Sequence, residues 1–64
     1  MERFIHKNIM AELERLGYDR NTALTGADIG LEHYRRAGHM SRKGKIFDDC
    51  LAAARQWAKR VPPG

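Results

Sequence analysis

Ile5, Ile9, Leu13 and Leu16 recur at spacings of four, four and three residues, which places them on one stripe of an α-helix. Lys7, Glu14 and Arg15 occupy the opposite side. The pattern predicts a first helix over 2–16, closed by Gly17 in the left-handed conformation that ends many helices. A stronger version of the same pattern recurs towards the C-terminus. There Ile46, Phe47, Cys50, Leu51, Ala54, Trp57, Ala58 and Val61 share one arc of a helical wheel, with Lys45, Asp48, Asp49, Arg55, Gln56, Lys59 and Arg60 on the other. Ser41 is a natural N-cap for this segment, although Gly44 lets its start slide, and Pro62-Pro63 must end it. The expectation is a helix over 44–60, with acidic residues near its start and basic residues near its end, as the helix dipole favours.

Between these two the pattern is weaker. A helix beginning at an Asn21 cap would align Leu24, Ala27, Leu31 and Tyr34, flanked by the small residues Ala23, Gly30 and Ala37. Against that register, Ile29 turns to the polar side and each of Gly26 and Gly30 costs about 1 kcal/mol in a helix interior relative to Ala. A later start is offered by Thr25-Gly26-Ala27-Asp28, a variant capping box with Asp in place of Glu or Gln. The favoured reading is a helix over at least 26–37, with 18–24 as a loop or short turn.

Three helices with short polar connections define an all-α fold, a small three-helix bundle. No β-type alternation lasts long enough to compete. The expected core comprises Ile5, Ile9, Leu13, Leu16, Leu31, Tyr34, Phe47, Leu51, Ala54 and Trp57. A chain of 64 residues that is 42% hydrophobic and 31% charged suits one folded domain, taken as 1–61 with a disordered tail over 62–64. At this size only about 60% of the unfolded chain's surface can be buried. Homodimerisation is therefore an expected supplement, and Trp57, Val61 and the stranded Ile29 are candidate residues of a protein interface. One cysteine precludes an intrachain disulfide, and no apolar run approaches the length of a membrane span, so a cytoplasmic location is expected.

Charge divides the chain unevenly. Eight of the twelve Lys and Arg residues follow Glu32, with only two acidic residues beside them. Within this half, Arg35, Arg36, His39, Arg42, Lys43 and Lys45 run from the end of one helix through a Gly-containing turn into the next, and Arg55 and Lys59 extend the positive charge along the last helix. Cations combined with backbone N–H groups at a helix start suit phosphate, so these eight residues are the candidate nucleic-acid contacts. Duplex DNA is the favoured partner, and a regulatory or accessory factor the favoured role. The few aromatic residues are mostly assigned to the core, which leaves little for stacking single strands. A helix-turn-helix fits residues 16–36 poorly, since Ala23 at the buried small position puts Asp28 where an apolar residue belongs. The alternative function is an adaptor or inhibitor that docks its helix faces on an acidic protein.

Catalysis has little to draw on. His6, His33 and His39 with Cys50 match no spacing that converges on a metal, Cys50 sits on the apolar arc, and the pairs Glu12/Glu14 and Asp48/Asp49 diverge on a helix. The expectation is a non-enzymatic protein without metal or cofactor.

Overall fold

A computed structural model, in which residues 2–37 and 45–61 are described, consists of three α-helices: α1 over Glu2–Arg15, α2 over Arg20–Ala37 and α3 over Ile46–Arg60. No strand occurs among the described residues, and the fold is the all-α three-helix bundle that the periodicity implies. The proposed tail over 62–64 lies outside the described residues, as does the proposed cap Ser41. No described helix is long and apolar enough to cross a membrane.

The first helix ends as its sequence requires. Gly17 adopts φ 101°, and two crossed bonds close the turn: Tyr18 N–H donates to the Leu13 carbonyl at 3.1 Å and Gly17 N–H to that of Glu14 at 3.0 Å. This is the Schellman arrangement, and the missing Cβ is what makes the left-handed conformation cheap.

The second helix corrects the reading of the middle segment. It begins at Arg20, six residues before the favoured start at 26. Its cap is Asp19, whose Oδ1 accepts the Thr22 backbone N–H at 2.7 Å, the third helical position that an N-cap side chain serves. Hydrogen bonding from Thr22 also holds the Asp19 carboxyl below its ordinary pKa. The stretch from Thr25 to Asp28, read as a capping box, is helix interior. Gly26 and Gly30 are tolerated because atoms of the neighbouring helices occupy the space that a Cβ would take. A Cβ on Gly26 would collide with Leu13 Cδ1 and touch the Trp57 ring at 3.7 Å; one on Gly30 would collide with Ile9 Cδ1 and lie 3.1 Å from the Cys50 carbonyl oxygen. Ala23, Gly26, Ala27 and Gly30 are the buried face of α2. Small side chains there let large ones from α1 and α3 fill the space, and their burial offsets the helix-propensity loss.

That face fixes the topology. Leu13 and Trp57 meet over Gly26, and Ile9 and Cys50 meet over Gly30, so α2 lies between two helices that both run antiparallel to it. Contact between α1 and α3 themselves is slight, although Phe4 and Phe47 meet with ring centroids 6.2 Å apart. The core comprises Ile5, Ile9, Leu13, Ala23, Ala27, Ile46, Cys50, Ala54 and Ala58, with Met10, Tyr18, Tyr34, Phe47, Leu51 and Trp57 partly buried against it. Of the expected core, Leu16 and Leu31 fall outside this cluster: Leu31 is only half-buried on α2, and Leu16 is 42% exposed, because its position follows the last helical residue of α1 and the chain turns away there. Leu24 is 43% exposed for a different reason, since the buried stripe of α2 runs through the small residues rather than through Leu24 and Leu31.

The third helix starts two residues later than the expected 44. Lys45 stands at its N-cap without a side-chain capping bond, and Asp48 and Asp49 occupy its first turn. It stops at Arg60 because Val61 is extended, with φ −79° and ψ 125°, the conformation a residue before proline prefers.

Candidate nucleic-acid interface

Helix direction separates the basic residues into groups. Arg35 and Arg36 end α2 beside the start of α3, where Lys45 stands; the end of α3, with Lys59 and Arg60, lies at the other end of the bundle beside the α1–α2 turn. His39, Arg42 and Lys43 fall outside the described residues.

Arg35 and Arg36 diverge. Arg35 reaches across to α1, donating from its guanidinium to Glu2 Oε1 at 2.9 Å, and this bond holds the Glu2 carboxyl below its usual pKa. This exposed ion pair links the start of α1 to the end of α2. One turn along α1, His6 Nε2 meets Asp28 Oδ1 at 2.7 Å, a second polar clasp on that seam. Arg36 is exposed, with no ion-pair partner among the described residues.

A basic row among the described residues lies on the outward face of α3. Lys45, Asp48, Ala52, Arg55, Gln56 and Lys59 are all exposed and recur at three- and four-residue spacings, so they line one side of the helix. Lys59 lies fourteen positions after Lys45, about 21 Å along the axis. Three cations and one carboxylate, Asp48, stand on this face. Because Ala52 is short, the side chains of Arg55, Gln56 and Lys59 border a shallow concavity with Ala52 in its lining. The Glu12 carboxyl of α1 is held low mainly by its bond from Arg15, and the charge of Arg55 lowers it further. Gln56 and Ala52 had no place among the candidate residues. The signal for them was available in the spacing, a small residue followed at three, four and seven positions by Arg, Gln and Lys.

Ile29, Trp57 and Val61 are each half-buried rather than exposed, and the Trp57 ring lies against Gly26 as part of the packing between α2 and α3. Among the described residues, the exposed large apolar side chains are instead Phe4, Leu16 and Leu24. Cys50 is fully buried, and loss of hydration pushes its thiol pKa up, which disfavours the reactive thiolate. Among the described residues, no three His, Cys, Asp or Glu side chains come together where they could hold a metal ion. The chain matches no family model, no curated protein and no solved structure.

Proposed function

We propose that the protein is a non-catalytic regulatory or accessory factor that binds duplex DNA through the outward face of α3. The observation that carries this reading is the exposed row from Lys45 to Lys59, with Arg55 and Gln56 around the short Ala52. A helix with its side chains is about 10–12 Å wide, which suits a major groove about 12 Å wide. The row supplies long donors to phosphates and base edges along that groove, and Ala52 and the half-buried Ala53 keep its middle slim. Arg36, at the Lys45 end, adds a further cation for the backbone. Asp48 opposes phosphate locally and favours an approach centred on the second half of the helix.

Salt-titrated binding to a short duplex tests the proposal. Affinity should fall linearly on a log–log plot against salt, with a slope near −0.9 for each phosphate neutralised. Lys59→Ala should flatten the slope by about one if Lys59 contacts phosphate, as should Lys45→Ala. Lys7→Ala, on the exposed side of α1, should leave it unchanged. Absence of duplex binding at low salt, or equal sensitivity at Lys7 and Lys59, would overturn the proposal.

The second reading, a module that docks on an acidic protein, draws on Phe4. Phe4 is 55% exposed, with its ring beside that of Phe47 at the thinly packed α1–α3 seam. In that case Phe4 is an apolar anchor and the α3 cations lie at the rim, where charge alters association rate more than affinity.

A further inference from the structure

The concavity bordered by Arg55, Gln56 and Lys59, with Ala52 in its lining, lies in the second half of α3. Unpaired carbonyls give that end of a helix partial negative charge, so the backbone offers nothing to an isolated anion. The three side chains offer something more selective. Arg55 presents a planar fork of N–H donors, Gln56 presents an acceptor and a donor side by side, and Lys59 adds a mobile cation. The fork matches guanine O6 and N7, and the amide matches adenine N6 and N7, groups that a duplex displays in its major groove. The Ala52 methyl adds an apolar contact of the kind that a thymine methyl accepts.

We propose, resting on the duplex-DNA reading above, that this concavity reads base edges in the major groove and makes binding sequence-selective. Arg55 reads guanine and Gln56 reads adenine, while Lys45, about 15 Å back along the axis from Arg55, holds backbone phosphate.

Selection of tight-binding duplexes from a randomised pool provides the probe. Dissociation constants are then compared for a selected duplex and a scrambled one of equal length and base composition at one salt concentration. The wild-type protein should prefer the selected duplex. Gln56→Ala should weaken that complex about 5- to 140-fold, leaving scrambled binding and the salt slope unchanged, because the amide carries no charge. Lys45→Ala should weaken both complexes alike. If the wild type binds selected and scrambled duplexes equally with a normal salt slope, the base-reading inference fails while DNA binding stands. Equal weakening of both complexes by Gln56→Ala has the same meaning. No binding to any duplex overturns both.

Discussion

Leu13→Ala is expected to unfold a large fraction of the protein. Leu13 is fully buried, and its side chain fills the space over Gly26 that the missing Cβ leaves open. Truncating a buried Leu to Ala costs about 2–5 kcal/mol, through lost transfer energy and the cavity left behind. A domain of this length has a total stability of about 3–10 kcal/mol, so a single core truncation removes much of it. Leu24→Ala is the matched control, since Leu24 is 43% exposed and should change stability by no more than about 0.5 kcal/mol. Urea titration followed by circular dichroism separates the two. Equal losses from Leu13→Ala and Leu24→Ala would contradict the burial pattern of α1 and α2.

The next largest effect is expected from the glycines of α2, and it differs between them. Gly30→Ala places a methyl 3.1 Å from the Cys50 carbonyl oxygen and into Ile9 Cδ1. The backbone of α3 must give by a few tenths of an ångström, and overpacking of this kind costs about 1–3 kcal/mol against a gain of about 1 kcal/mol in helix propensity. At Gly26 the obstacle is the end of the flexible Leu13 side chain, while the Trp57 ring sits at ordinary contact distance. Gly26→Ala should therefore lie nearer neutral. The comparison is again one of urea midpoints, with Gly30→Ala the lower; a Gly30→Ala protein as stable as Gly26→Ala would remove the close approach of α2 and α3.

These glycines also show why part of the fold was hidden in the sequence. The stripes of α1 and α3 are made of large apolar residues, and the helix-ending roles of Gly17 and Pro62 are local chemistry, so these two helices were legible from spacing alone. Helix α2 buries its smallest residues and exposes Leu24. A rule that ranks positions by hydrophobicity picks the wrong face there, and propensity alone treats Gly26 and Gly30 as breaks. Their value depends on Ile9, Leu13, Cys50 and Trp57 in other helices. The Asp19 cap was readable locally, but it was masked by the apparent cost of the helix that follows it.

The candidate site was legible as charge and not as shape. Counting cations singled out Arg35, yet Glu2 on α1 engages it, a partner 33 positions away. The same count passed over Ala52 and Gln56, one uncharged and small, the other uncharged and polar. Their significance comes from sharing the outward face of α3 with Lys45, Arg55 and Lys59. Once α2 directs the apolar arc of α3 inward, this row is left facing solvent.

Amide chemical-shift mapping with an isotope-labelled sample and a short DNA duplex at low salt tests the use of that face most directly. The largest changes should fall on Lys45, Ala52, Arg55, Gln56 and Lys59, with the outer side of α1 around Lys7 undisturbed. No change under excess duplex, or changes centred on Phe4 and Phe47 with the α3 row unmoved, would contradict DNA binding through α3.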